Sequence, residues 1–275
     1  MKTLSEVQEY YDSTVNSRIA EFIDGNPRIE AAWRVVQQWT HGTPQNVLEI
    51  GCGVGDICWR MSLCWPEAKV VGLDVSPKEL STARTLFGSE RVTFVEGPLT
   101  DSIFTQKFDL IVLMDVYEHI LPADREALHT ALRSLLSSSC RVILSFPTPR
   151  HQEWLKRHEP HLIQPVDEDI FPENILSLVR DLGLELLYYQ DGGVWHKGDY
   201  AYAVIGKRQG WVPVEDLSAR KKIRRLLGNS VKKLTGRKHL IRGEVKLGNF
   251  RVPPRSRRLA LVRRKLDGFS VSEKS

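Results

Sequence analysis

The chain has 275 residues, of which 41% are apolar and 27% are charged. These values are close to those of an average soluble globular protein and exclude a wholly disordered, collagenous or disulfide-scaffold protein. The longest apolar run is far shorter than the ~20 residues that a membrane-spanning helix needs, and the N-terminal segment lacks the apolar core of a secretory signal. We therefore expect a cytoplasmic protein whose four cysteines are reduced.

The predicted elements begin with two helices, at residues 4–24 and 27–40, which the turn-forming pair Asn26-Pro27 separates. From residue 46 onwards, short apolar strands alternate with helical segments near residues 55–64, 77–87 and 122–137. The strands are predicted at Val47–Ile50, Lys69–Asp74, Val92–Glu96, Phe108–Met114 and Arg141–Phe146. A helix at Pro172–Leu182 then precedes two closely spaced strands, Glu185–Gln190 and Tyr200–Ile205.

This alternation of strands and helices predicts an α/β domain, with a parallel sheet that helices cover on both faces. The last two strands flank Asp191-Gly192-Gly193, which is typical of a hairpin, so the final strand should run antiparallel to the others. We divide the chain into an N-terminal helical cap (1–42), the α/β domain (43–207) and a C-terminal extension (208–275).

Charge is distributed very unevenly along the chain. Residues 206–275 contain 21 Lys and Arg against 5 Asp and Glu, a formal charge of +16, whereas residues 1–205 contain 18 against 29, a formal charge of −11. The acidic body and the basic extension therefore call for separate explanations.

A glycine-rich loop follows the first predicted strand, in the segment Val47-Leu-Glu-Ile-Gly-Cys-Gly-Val-Gly-Asp56. Glycines allow the backbone to turn sharply and to approach a ligand closely. Asp74 ends the next strand, where a carboxylate suits the hydroxyl groups of a ribose. The spacing G-x-G-x-G differs from the G-x-G-x-x-G of dinucleotide sites, and Glu49 and Asp56 would repel a pyrophosphate. These residues predict a nucleoside cofactor that carries positive charge.

The chain resembles the class I S-adenosylmethionine-dependent methyltransferases over about residues 1–207. Glu49-Ile-Gly-Cys-Gly-Val-Gly55 matches the first motif of that family, Leu73-Asp74 matches its ribose-binding acid, and Phe108–His119 matches the strand-four motif of small-molecule members such as the ubiquinone-pathway and sugar O-methyltransferases. The resemblance implies a Rossmann-like fold with a seven-stranded, mostly parallel sheet in the order 3-2-1-4-5-7-6. It also implies that S-adenosylmethionine is bound by Tyr11, Glu49, Gly51, Gly53, Asp74, Val75, Gly97, Leu99 and Asp115.

One position departs from the pattern of this family. The family has Gly-Asp after the third strand, with the Asp bonding the adenine amino group, whereas this chain has Gly97-Pro98. Asp101, three residues further on, is the candidate substitute.

Three residues are candidates for catalysis, namely His119, His151 and Glu118. A histidine that titrates near neutrality suits removal of a proton from an acceptor hydroxyl. His119 follows strand four in a D-x-x-E-H cluster, so Asp115, Glu118 and His119 are also candidate ligands of a divalent metal such as Mg²⁺ or Mn²⁺. A third interpretation is that His119 stabilises its loop.

His151 lies in residues 147–170, which we predict to be a long loop that binds the acceptor, because long loops inside compact domains are often functional. Its polar residues interleaved with Trp154 suit a sugar, although an ordinary surface loop is the alternative. Trp195 and His196, in the final hairpin, are within reach of the same pocket on this prediction.

The basic extension has two amphipathic segments. Residues 215–240 combine apolar positions at three- and four-residue spacing with Lys and Arg, and Arg257–Leu266 repeats the pattern. Such helices suit an anionic membrane surface. The alternatives are nucleic-acid binding through phosphate contacts, and packing on the domain or on a second subunit of a homo-oligomer.

The hypothesis that joins these observations is an S-adenosylmethionine-dependent O-methyltransferase for a hydroxyl of a small-molecule or glycan acceptor, in one version lipid-linked at the inner membrane face. The alternative is an RNA methyltransferase that uses the basic tail, although the chain lacks the Asn/Asp-Pro-Pro-Tyr motif of base amino-group methylation. A third hypothesis, a non-catalytic module that keeps the fold, rests on Pro98 alone.

Overall fold

A computed structural model describes residues 3–40, 42–207 and 250–266 of the protein. Within these ranges, residues 3–207 and 251–266 belong to one structural unit. Its helices are α1 (Leu4–Asp24), α2 (Pro27–Trp39), α3 (Asp56–Cys64), α4 (Pro77–Phe87), α5 (Arg125–Leu135), α6 (Pro149–His158), α7 (Pro172–Leu182) and α8 (Arg255–Lys265). Its strands are β1 (Asn46–Ile50), β2 (Lys69–Asp74), β3 (Val92–Glu96), β4 (Phe108–Met114), β5 (Leu136–Pro147), β6 (Glu185–Gly193) and β7 (Lys197–Gly206).

The seven strands form one sheet in the order β3-β2-β1-β4-β5-β7-β6, which confirms the predicted order. The first five strands are parallel, and β7 runs antiparallel to both β5 and β6, as the hairpin predicted. In the centre, Val47 of β1 pairs with Val70 of β2 and with Leu110 of β4. Helices cover both faces, so these central strands are mostly buried and apolar, with Glu49 of β1 as a buried exception.

Local sequence explains where several helices begin. Asn26 caps α2 and Ser76 caps α4, each with a side-chain oxygen that accepts a backbone N–H, and a proline occupies the first turn of both helices. Segment 122–137 differs from the prediction of one helix, because a 3₁₀ turn at Pro122–Asp124 precedes α5 and β5 already begins at Leu136.

The prediction of a long loop at residues 147–170 is wrong. Thr148 accepts the backbone N–H of His151 and Pro149 follows it at the first helical position, so the chain begins α6 directly after β5. A 3₁₀ turn at Pro160–Leu162 follows α6. Pro149 and Pro160 each stand in the first turn of a helical segment, where the missing N–H of proline is tolerated.

The C-terminal helix α8 packs against α1 and α4. Val262 is fully buried, Arg258 lies over the ring of Phe22 at 6.0 Å, and Arg255 Nε lies 2.7 Å from Asp24 Oδ1. The second predicted amphipathic segment is thus a helix, whereas the first, at 215–240, lies outside the described residues. Among the described residues, every helix is too short or too polar to cross a bilayer.

Candidate active site

The glycine-rich loop joins β1 to α3 at the carboxyl end of the sheet. Gly51, Gly53 and Gly55 all have positive φ, at 69°, 52° and 88°, a region that residues with a Cβ rarely adopt. At Gly51 a Cβ would also overlap the side chain of Val116, which comes from the loop after β4. The loop therefore forms an open cradle that depends on glycine, as predicted from the motif.

This cradle is one wall of a cavity of about 490 Å³, which is within the range of small-molecule sites. The cavity is lined by all nine residues predicted to bind a cofactor: Tyr11, Glu49, Gly51, Gly53, Asp74, Val75, Gly97, Leu99 and Asp115. They come from α1 and from the ends of β1, β2, β3 and β4, because the carboxyl ends of neighbouring parallel strands meet at one edge. His119 lines the same cavity.

Asp74 is held in place by backbone donors. Its Oδ2 accepts the N–H of Gly53 at 2.7 Å and its Oδ1 accepts that of Ser76 at 2.9 Å. Burial raises the pKa of Asp74, although these backbone hydrogen bonds oppose the rise. The predicted ribose-binding acid thus has a fixed orientation at the cavity wall.

Two further carboxyl groups on the wall are deeply buried. Glu49 is 3% exposed, and burial raises its pKa to about 8, which a hydrogen bond from Cys58 only partly offsets. Glu79, in the first turn of α4, is also 3% exposed, and burial together with Asp74 raises its pKa to about 8. Sequence analysis missed Glu79. The Ser76 cap and Pro77, which place it in the first turn of a helix beside Asp74, were the available signal.

A buried cation faces Asp115, which directly follows β4 and lies in the left-handed region at φ 57°. Arg28, at the start of α2, lines the cavity and places Nε 2.9 Å from Asp115 Oδ2. Asp115 also accepts the hydroxyl of Ser145 at 3.0 Å. Sequence analysis missed Arg28, because nothing in its local pattern shows which strand α2 packs against.

His119 lies in a 3₁₀ turn, Tyr117–His119, just beyond Asp115. Its Nδ1 is 2.6 Å from the backbone oxygen of Val166, and its Nε2 is 3.8 Å from Glu118 Oε1. Burial lowers the pKa of His119, although Asp167 and the bond to Val166 oppose the change. His119 is therefore a neutral imidazole with Nδ1 protonated, because that nitrogen must donate to a carbonyl.

The predicted metal site is wrong. Within the described residues, no group of three or more His, Cys, Asp and Glu side chains could hold a metal ion. Asp115 turns towards Arg28, whose Nε lies 2.9 Å from its Oδ2, and Nδ1 of His119 is occupied by the backbone oxygen of Val166. Glu118 does not line the cavity and is 1% exposed, with its pKa raised by burial and by Asp115.

His151, the other candidate base, does not line the cavity either. The cap at Thr148 turns it into the first turn of α6, where its ring stacks near Trp154 at 6.3 Å and Trp195 at 6.0 Å. His196 joins this aromatic cluster through Trp154. Trp195 and His196 therefore lie in the cluster around His151 and do not line the cavity. The expectation that they reach the cavity is wrong.

At the position that departs from the family pattern, Gly97, Pro98 and Leu99 line the cavity together. Asp101 is exposed and does not line it, so it does not substitute for the missing acid.

Known proteins match this chain in sequence over parts of its length. Residues 47–139 match the sequence model of a methyltransferase domain family. A malonyl-[acyl-carrier protein] O-methyltransferase of Anoxybacillus flavithermus is 24% identical over 173 residues, which cover 52% of this chain and 64% of that protein. A Synechocystis protein of uncharacterised role is 30% identical over 108 residues, 38% of this chain and 21% of its own length. The chain therefore spans less than two thirds of either relative.

Solved structures share the fold. The PH0226 protein of Pyrococcus horikoshii superimposes with a TM-score of 0.55 at 20% identity, over 66% of this chain and 90% of that one. The DhpI complex with S-adenosylmethionine gives the same TM-score at 21% identity, over 74% of this chain and 99% of that one.

Proposed function

We propose that this chain, whose residues 47–139 match a methyltransferase domain family and whose fold is shared with solved methyltransferase structures, transfers a methyl group from S-adenosylmethionine to a hydroxyl of a small-molecule or glycan acceptor. The observation that carries the proposal is the convergence of all nine predicted cofactor residues and His119 on one cavity.

The residues on the cavity wall fit this cofactor. Gly51 lines the cavity with backbone at a positive φ that glycine adopts without strain, and Asp74 presents a fixed carboxylate for ribose hydroxyls. Arg28 offers a cation to the carboxylate of the methionine moiety, while Glu49 keeps one buried oxygen without a hydrogen-bond partner in the described part of the chain. When bound, the cofactor supplies an electrophilic methyl group on a positively charged sulfur.

His119 is the proposed general base. Nδ1 donates its proton in a hydrogen bond to the backbone oxygen of Val166, so Nε2 carries the lone pair. This lone pair is the one proposed to take the proton from the acceptor hydroxyl. Its lowered pKa keeps this lone pair available at neutral pH, since the protonated form is disfavoured. Without the imidazole, the hydroxyl would remain a poor nucleophile.

The acceptor is proposed to bind at the end of the cavity beyond His119. The cavity wall includes Ile120, Leu121, Gln164 and Val166, and Leu4 and Val7 from the start of α1. An apolar wall with few polar groups holds a ring or chain and orients its hydroxyl. The hydroxyl would thus be directed at the base and at the methyl group.

A lipid-linked acceptor is proposed as one version of this function, because α8 exposes Arg257, Arg263, Arg264 and Lys265. Each cation close to an anionic bilayer contributes about 1 kcal/mol. Co-sedimentation with phosphatidylglycerol vesicles, but not with phosphatidylcholine vesicles, would support this version. Salt-sensitive binding of RNA without vesicle binding would favour the RNA methyltransferase instead.

Thermal unfolding with S-adenosylhomocysteine tests the main proposal. We expect a concentration-dependent rise in Tm, because a ligand that binds only the folded state stabilises it. Asp74→Asn should weaken this response about tenfold or more, whereas Asp101→Asn, at an exposed position outside the cavity, should keep it. No shift at millimolar ligand, or an equal shift with NADH, would refute the proposal.

A further inference from the structure

The structure has a second cavity, of about 570 Å³, that shares no lining residue with the cofactor cavity. Residues of α5 and α7 form most of its wall, and two arginines of α5, Arg125 and Arg133, belong to it. Its volume is within the range of small-molecule sites. The methyl transfer proposed above makes no use of this cavity, so its polar wall calls for an explanation of its own.

Arg125 brings a buried positive charge to this wall. The residue is only 9% exposed. Its Nε donates to the backbone oxygen of Ile120 at 3.3 Å, and its guanidinium carbon lies 5.2 Å from the centre of the Tyr117 ring. Among the described residues, its buried Nη2 finds no hydrogen-bond partner and no carboxylate forms an ion pair with it. A guanidinium is always protonated, and the aromatic ring offsets only part of the cost of burying its charge.

Two acids line the same cavity, but neither pairs with Arg125. Asp181 faces other groups, since its Oδ2 lies 2.7 Å from Nδ1 of His129 and its Oδ1 lies 3.6 Å from Nε of Arg180. Glu126 is exposed, so water screens its charge. A negatively charged ligand would therefore supply what these two side chains do not.

We propose that this cavity binds an anionic group, a phosphate or a carboxylate, on Arg125. A planar guanidinium can donate two parallel hydrogen bonds to the oxygens of either group. Arg133 adds a second cation at an exposed position of the wall. Asn174 adds a side-chain amide whose Oδ1 already accepts the backbone N–H of Phe171, so its Nδ2 is left to donate. The cavity also has room for the small molecule that carries the group.

A purely structural role would also account for the contacts of Arg125 with Ile120 and Tyr117. That role predicts that Arg125→Gln destabilises the protein and that no anion binds in the cavity. An anion site predicts saturable binding that depends on the charge of Arg125. Binding measurements therefore separate the two explanations.

The test is calorimetric titration of the full chain with inorganic phosphate and with malonate at constant ionic strength. At least one of these anions should bind saturably at millimolar concentration, and binding of only one identifies the group that the cavity prefers. Arg125→Gln should weaken this binding about tenfold or more, because it removes the charge-assisted hydrogen bonds. Arg257→Gln, at an exposed position of α8 outside the cavity, should keep the affinity of the unaltered chain.

Two results would overturn the proposal. One is that neither anion binds at tens of millimolar. The other is equal affinity in the unaltered chain, Arg125→Gln and Arg257→Gln, which would mean an adventitious ion only. If Arg125→Gln does not fold, Arg133→Gln at its exposed position should weaken binding about threefold, and unchanged affinity would again overturn the proposal. Binding of S-adenosylhomocysteine should stay unchanged in Arg133→Gln, because the two cavities share no lining residue, so failure here leaves the proposed function standing.

Discussion

Replacing Gly51 with alanine tests the claim that the cofactor cradle depends on the absence of a side chain. Two costs add at this position. A left-handed φ of 69° costs a residue with a Cβ about 1–2 kcal/mol, and the collision with Val116 adds an overpacking cost of about 1–3 kcal/mol. We expect the free energy of unfolding to fall by about 2–5 kcal/mol.

A matched variant separates these two costs. Gly183 has nearly the same φ, 65°, but a Cβ there would meet nothing within 4 Å. Gly183→Ala should therefore show the backbone cost alone, about 1–2 kcal/mol. Urea unfolding of both variants gives the steric cost as the difference, and titration with S-adenosylhomocysteine should show that only Gly51→Ala loses affinity.

The reasoning would be refuted if Gly51→Ala were no less stable than Gly183→Ala. It would also be refuted if Gly51→Ala bound S-adenosylhomocysteine as tightly as the unaltered chain. Either result would mean that Val116 moves aside at no cost and that the loop does not approach the ligand closely.

Three other predictions concern the base, the buried acid and the C-terminal helix. Methyl transfer should rise with pH through an apparent pKa below 6.5, and Asp167→Asn should lower this pKa further because Asp167 raises the pKa of His119. His119→Gln should lower kcat about 10²–10⁴-fold. An unchanged pH profile of methyl transfer in either variant would contradict the role of His119. The pKa of Glu49 is raised from 4.5 to about 8, so the folded state keeps this proton to higher pH than the unfolded state does. The contribution of Glu49 to stability is therefore complete below pH 4.5 and is lost as pH rises towards 8. Urea unfolding across this range should show a flatter pH dependence of stability for Glu49→Gln, and an equal slope would argue against a buried neutral carboxyl. Arg258→Ala should lower Tm measurably because it removes the contact between Arg258 and the Phe22 ring. Arg257→Ala, at an exposed position of the same helix, should leave Tm nearly unchanged. Equal effects on Tm would mean that α8 does not depend on the contact with Phe22.

The sequence was sufficient for features that follow from one local pattern. Alternating strands and helices, with the hairpin near Gly192, predicted the parallel sheet and its antiparallel end, and the resemblance supplied the strand order. The cavity wall was also predictable, because Gly51, Asp74 and Asp115 each follow a strand and the carboxyl ends of parallel strands meet.

Features that depend on how elements pack were not predictable. Arg28 and Glu79 reach the cavity from helices whose docking no local spacing encodes. His151 follows a strand as the general rule requires, but the Thr148 cap directs it into α6 and away from the cavity. The D-x-x-E-H cluster suggested a metal because its members are close in sequence, whereas in the structure Asp115 is paired with Arg28, a residue of another element that the local pattern does not reveal.

The contact between Arg255 and Asp24 joins residues that are 231 positions apart. During synthesis at about 5–20 residues per second, α1 leaves the ribosome roughly ten to fifty seconds before its partner α8 exists. Throughout that interval Phe22 lacks the cover that Arg258 later provides. The surface beside Phe22 is therefore incomplete in a nascent chain until α8 arrives, and in that interval it is open to chaperones, to proteases, or to α8 of a neighbouring copy.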